Sequence, residues 1–197
     1  LQYSNTFGKH SVQGVLGYTY QETNERSASM ENYGFDFDDF KTDNIGAGGA
    51  LQEGLADMSS FRGMSRYIAF FGRVMYNYDE KYLASVSLRR DGSSNFGGDN
   101  KWGWFAAVSL GWRINKESWF EDTDWLSDLK LRAGFGVTGN QDFSSYKSLL
   151  LMDPFSFYYY DGKWVTSYAP ASNPNPDLAW ERKNEFNVGL DFAFFDN

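Results

Sequence analysis

Few residues in this chain have the type and spacing for covalent chemistry. Asp36, Asp38 and Asp39 lie in Phe35-Asp36-Phe37-Asp38-Asp39-Phe40 and offer oxygen atoms of the kind that bind Ca²⁺. Their spacing is not that of an EF-hand loop, and a solvated acidic loop accounts for them. Glu181 and Glu185 form a carboxylate pair of the sort glycosidases use, but such pairs arise by chance in a chain with 26 Asp and Glu residues. Gly46-Ala47-Gly48-Gly49 lacks the third glycine of a dinucleotide fingerprint, because Leu51 stands there, and reads as loop flexibility. The chain has no Cys and one His, His10. That removes disulfide frameworks, thiolate metal sites and cysteine nucleophiles, and leaves little for a Ser-His-Asp triad. His10 reads as a polar residue at a strand end. No catalytic residue, metal site or cofactor site is expected.

The residues suited to binding are aromatic. They make up 19% of the chain, and Phe155, Phe157, Tyr158, Tyr159, Tyr160, Trp164 and Tyr168 crowd into one stretch. Aromatic faces stack on sugar rings and supply rigid contact area, so the group is a candidate ligand or partner surface. Packing of the loop on its neighbours is the alternative reading of the same residues. A net charge of −8 argues against nucleic acid, whose phosphates need a basic face.

The elements that position these residues read as strands. Period-2 alternation marks six segments: 12–20, 68–78, 82–90, 104–114, 129–137 and 186–194. In segment 104–114, Trp104, Ala106, Val108, Leu110, Trp112 and Ile114 alternate with Phe105, Ala107, Ser109, Gly111 and Arg113. The six apolar faces carry no charge. The opposite faces carry Arg73, Arg89, Arg113, Lys130, Arg132 and Asp191 among Gly, Ser and Asn. These basic residues are suited to guiding anionic groups or to pairing with carboxylates of a plug. The connections run long (21–67), short (79–81), intermediate (91–103), compact (115–128, with a helical turn near Glu117–Phe120) and long (138–185).

No stretch approaches the ~18 apolar residues of a membrane helix, yet the pattern fits a transmembrane β-barrel. Alternate connections of a meander leave at one side, so bulky outer loops face short turns. Tyr18, Tyr20, Tyr76, Tyr78, Tyr82, Trp104, Trp112, Phe192 and Phe194 lie near the ends of the apolar faces, where aromatic belts form. From Trp104 to Trp112 the strand covers roughly 26 Å at about 3.3 Å per residue. Tilted by about 40°, that projects to roughly 20 Å, near the height of an outer-membrane apolar band. A soluble β-sandwich carbohydrate-binding module also alternates apolar and polar faces, and is the alternative. A barrel enzyme of the outer membrane is a third reading, without a site to support it.

Longer motifs carry a resemblance. Phe71-Gly72-Arg73-Val74-Met75-Tyr76-Asn77-Tyr78, Lys81-Tyr82-Leu83 and Arg89-Arg90-Asp91-Gly92-Ser93-Ser94-Asn95-Phe96-Gly97 are followed by Lys101-Trp102-Gly103-Trp104-Phe105-Ala106-Ala107-Val108-Ser109 and Gly111-Trp112-Arg113-Ile114. Then come Trp125-Leu126-Ser127-Asp128-Leu129-Lys130-Leu131-Arg132, Gly136-Val137-Thr138-Gly139-Asn140-Gln141 and Asn173-Pro174-Asn175-Pro176-Asp177-Leu178-Ala179-Trp180-Glu181. This series, from about Phe70 onward, resembles the barrel signature of the SusC/RagA family of TonB-linked outer-membrane transporters. The first third of the chain matches by pattern only. The resemblance implies an all-β, antiparallel transmembrane segment of about six strands, part of a 22-stranded barrel. Residues 1–197 would then be a partial barrel domain, with the plug, the TonB box and the remaining strands outside it. It implies import of glycan oligosaccharides or peptides across the bacterial outer membrane. The implied partners are outer-membrane lipid, a SusD-like surface lipoprotein, and TonB acting through the plug.

Overall fold

The computed structural model describes residues 1–37, 39, 43–120 and 125–194. Nine strands form: β1 Gln2–Phe7, β2 His10–Glu31, β3 Asp57–Tyr78, β4 Tyr82–Ser93, β5 Trp102–Arg113, β6 Leu126–Asn140, β7 Met152–Tyr160, β8 Lys163–Pro170 and β9 Glu181–Phe194. Seven of them make one open sheet in the order β1-β2-β3-β4-β5-β6-β9, and β7-β8 is a separate two-stranded sheet. All six expected segments are strands of the large sheet. The expectation falls short in number and length. β1 is an added strand, antiparallel to β2 from Gln2↔Val15 to Phe7↔His10. β2 and β3 each run 22 residues, so much of 21–67 is strand rather than loop. β5 stops at Arg113, and Ile114 opens a 3-10 turn.

Two compact units divide the chain: Leu1–Gln21 with Arg66–Asn197, and Glu22–Ser65. In the smaller unit, Asn32 Nδ2 donates to Ile45 O at 2.7 Å and Gly48 O at 3.0 Å, and the Tyr33 hydroxyl donates to Leu55 O at 2.8 Å. Two 3-10 turns, Ile45–Ala47 and Gly49–Leu51, bury Ala50. The glycine run read as loop flexibility is therefore folded. A Cβ at Gly48 would stand 2.6 Å from Tyr33 O, so only glycine lets the two segments approach this closely. Asp36 and Asp39 are described and Asp38 lies outside the described residues; among the described residues no cluster of His, Cys, Asp or Glu is arranged to hold a metal ion.

In the larger unit the register brings the apolar positions to one face. One cross-strand row reads Val74↔Val86↔Val108↔Phe135↔Phe186. A second row, Tyr78↔Tyr82↔Trp112↔Leu131↔Leu190, sets aromatics at the end nearest the short turns. These side chains stay open, with Val86 52%, Leu110 58% and Phe186 71% exposed. A soluble sandwich would bury such a face under a second sheet, and among the described residues no second sheet covers it, which disfavours that alternative. The packed core lies instead on the polar side near the far end of the sheet, where Ala69, Phe96 and Phe105 are buried.

The short-turn end is tied by charge. Asp79 and Glu80 take left-handed backbone (φ 53° and 55°) and close the β3–β4 turn, with Lys81 N–H donating to Tyr78 O at 2.9 Å. Lys9, in the β1–β2 turn, pairs with Asp79 at 2.7 Å. Glu117 accepts from the Tyr82 hydroxyl at 2.6 Å and from Trp112 Nε1 at 3.0 Å, beside the compact turn Ser118–Phe120. His10 opens β2, where its Nδ1 lies 2.7 Å from the Tyr76 hydroxyl.

Candidate functional site

The seven aromatic candidates are not in a loop without structure. They sit on the β7–β8 hairpin, which turns at Asp161 (φ 48°) and Gly162 (φ 75°). Asp-Gly is among the sequences that such a two-residue turn favours, because both central residues take positive φ. The register pairs Tyr159 with Trp164 and Tyr158 with Val165, and a bulge falls at Phe155. Alternation then places Phe157, Tyr159, Trp164 and Tyr168 on one face, and Tyr158 and Tyr160 on the other. Tyr159 and Trp164 meet edge to face at 5.5 Å. All seven rings are exposed, from Tyr158 at 49% to Phe155 at 78%.

The segments that flank the hairpin in sequence are packed. Phe96 is 1% exposed and packs on Trp180 at 4.7 Å and on Phe143 at 5.9 Å. Trp180 also meets Phe105 edge to face at 5.3 Å, and its Nε1 donates to Lys101 O at 3.1 Å. Asn95 Nδ2 donates to Phe143 O at 3.2 Å, and Asn100 Nδ2 to Asp177 O at 3.1 Å. Gly97 lies so close to Pro176 that a Cβ there would fall 1.8 Å from its carbonyl oxygen. Two stretches far apart in the sequence, around Asn95-Phe96-Gly97 and Pro176-Asp177-Leu178-Ala179-Trp180, thus pack against each other. Their residues carried the resemblance, but nothing in either stretch alone shows that they meet.

The polar face of the sheet carries the charges expected of it. Arg132 pairs with Asp191 at 2.7 Å. Arg89 Nε donates to both carboxylate oxygens of Asp91, at 2.7 and 2.8 Å, and its Nη2 donates to the Tyr67 hydroxyl. A concavity of about 440 Å³ on this face is lined by Ser85, Ser109, Asn77, Lys130, Arg132 and other residues. Two of the basic residues thus have carboxylate partners within the chain. Glu181 accepts from Asn140 Nδ2 at 3.1 Å, and Glu185 pairs with Lys183 at 3.0 Å. Each glutamate has its own partner, and neither is held in a shared acid–base arrangement.

One charged residue escaped the sequence reading. In segment 82–90 the apolar positions Tyr82, Ala84, Val86 and Leu88 are followed in alternation by Arg90, and the register reads Phe70↔Arg90↔Trp104. Arg90 therefore lies on the apolar face. Its guanidinium carbon is 4.8 Å from the Trp102 ring centre and 5.2 Å from that of Trp104.

The short-turn end has perturbed carboxylates. The hydrogen bond from Lys9 holds Asp79 below the usual carboxylate range, helped by that ammonium charge. Hydrogen bonds from Tyr82 and then Trp112 do the same for Glu117.

The whole chain, residues 1–197, matches the family described as TonB dependent receptor-like, beta-barrel. It is 34% identical over 194 residues to TonB-dependent receptor P39 of Formosa agariphila, covering 98% of this chain and 18% of that protein. It is 37% identical over 147 residues to TonB-dependent receptor SusC of Bacteroides thetaiotaomicron, covering 72% of this chain and 14% of that protein. The solved RagAB peptide transporter superposes with a TM-score of 0.85 at 28% identity, over 99% of this chain and 21% of that one. The chain spans about a fifth of the length of the curated relatives it matches.

Proposed function

The chain belongs to the TonB-dependent receptor β-barrel family of the outer membrane, and from that premise we propose that it forms part of the wall and outer surface of a nutrient importer. The imported ligand is a glycan oligosaccharide or a peptide. The solved neighbour RagAB is named a peptide transporter, which supports the peptide reading. The apolar face meets lipid and the polar face lines the lumen, where Arg73, Lys130 and Arg132 face a plug. The sheet ends at β1 and β9, whose open edges pair with further strands of the complete wall, since unpaired edges are intolerable in lipid. TonB energises transport through the plug, and a SusD-like lipoprotein docks outside.

The observation that carries this reading is the β7–β8 hairpin, with seven exposed aromatic rings between flanking segments whose Phe143 and Trp180 pack on Phe96. Clustered aromatics carry a disproportionate share of binding energy. Phe155, Phe157, Tyr158, Tyr159, Tyr160, Trp164 and Tyr168 are thus the proposed contact residues for ligand or lipoprotein. Residues 153–168 belong to no strand of the large sheet, and surface elements tolerate deletion. Shortening 153–168 in the full-length transporter should leave heat-modifiable gel mobility unchanged. Growth on the cognate oligosaccharide or peptide, or co-purification of the lipoprotein, should fall sharply. Normal growth and normal lipoprotein recovery would overturn the assignment.

A further inference from the structure

Arg90 is a cation on a face that is otherwise uncharged across the six expected segments. Within β4 it lies four residues from Val86, which is itself four residues from Tyr82 at the short-turn end. Four residues advance roughly 13 Å along a strand, or about 10 Å along the membrane normal at a tilt near 40°. With Val86 at mid-band, Arg90 reaches the headgroup level on the side away from the turn at Asp79. There the penalty for a lipid-facing cation, large at the midplane, nearly vanishes.

The side chain is held rather than free. Trp102 and Trp104 flank its guanidinium at 4.8 and 5.2 Å. Gly92 makes room for this clamp, since a Cβ there would lie 2.9 Å from the Trp102 ring. Asp91 is taken by Arg89, and among the described residues no carboxylate pairs with Arg90. A guanidinium stacked on indoles keeps its N–H edge available, and that edge matches a phosphate in a bidentate manner. Tyr18, Phe70 and Trp104 beside it are each at least half exposed. They offer apolar cover that an acyl chain uses and a free phosphate ion does not.

We propose that Arg90, clamped by Trp102 and Trp104, binds the phosphate of an anionic lipid headgroup in the outer leaflet. The site rests on the outer-membrane placement of the chain and adds a specific lipid contact to it. The test uses the full-length transporter in neutral detergent. Native mass spectrometry follows retention of diphosphoryl lipid A against the same lipid stripped of its phosphates. The wild type should retain the phosphorylated form roughly fivefold better, the factor expected of one basic residue near a charged surface. Arg90→Gln should abolish that preference, and Arg73→Gln, on the lumen face, should not. Trp104→Leu, which removes one side of the clamp, should weaken the preference and decides the matter if Arg90→Gln does not fold. An unchanged preference in the folded variant overturns the site, as does complete competition by excess inorganic phosphate. A full-length protein that is monodisperse without detergent would instead overturn the membrane placement itself.

Discussion

Phe96 packs on Trp180 with ring centroids 4.7 Å apart, although one residue follows β4 and the other precedes β9. This contact joins the segment after β4 to the segment that leads into β9. Phe96→Ala should cost about 3–5 kcal/mol locally, the range for emptying a buried Phe site. The loss should fall on 141–180 rather than on the wall. Limited proteolysis of the full-length protein is expected to cut that segment faster while heat-modifiable mobility persists. Equal protease resistance in variant and wild type would show that the contact fixes nothing.

The β3–β4 turn stores backbone strain. Glu80 sits at φ 55° without being glycine, and its pair with Lys116 at 3.5 Å is exposed. A left-handed L-residue costs about 1–2 kcal/mol, and glycine returns part of this as unfolded-state entropy. The surface ion pair adds little. Glu80→Gly should therefore stabilise the barrel by roughly 0.5–1 kcal/mol, read as a higher urea midpoint for unfolding. A lower midpoint would mean that the Lys116 contact outweighs the strain.

The paired carboxylates at the short turns give a signed pH dependence. Asp79 and Glu117 have folded pKa values below their unfolded ones. Folding therefore gains from their ionised forms above the ordinary carboxylate pKa of about 4. The gain is lost as pH falls through the depressed folded values. Acid titration of Asp79→Asn should show a shallower loss of stability below about pH 4 than the wild type. Identical acid limbs would remove the Lys9–Asp79 bond from the stability account.

The facing of the sheet was legible because it follows from period-2 alternation alone. Val74, Val86, Val108, Phe135 and Phe186 read as one class and form one row. The strand ends were not legible. Residues 21–31 and 57–67 carry Ser, Asn and charge without alternation, because neither face there is apolar. The β7–β8 hairpin was hidden because Phe157-Tyr158-Tyr159-Tyr160 is aromatic on both faces, which erases the period, although Asp161-Gly162 marked the turn. Arg90 was assigned to neither face of segment 82–90, although it continues the alternation of Leu88, and Trp102 and Trp104 flank it there. The Phe96–Trp180 contact depends on tertiary closure, which local pattern does not encode.

The most direct test of the lipid-facing assignment compares two neighbours on β5. Val108 lies in the mid-band row on the apolar face, and Ala107 points to the polar face, where a Cβ at Gly136 would lie 3.5 Å from its own. Refolding titrations of the full-length transporter into lipid vesicles would carry Val108→Arg and Ala107→Arg in parallel. Val108→Arg should cost roughly 2–4 kcal/mol, the penalty for a mid-band lipid-facing charge, and Ala107→Arg should avoid it. Equal costs for the two, or a larger cost for Ala107→Arg, would contradict the placement of this face against lipid.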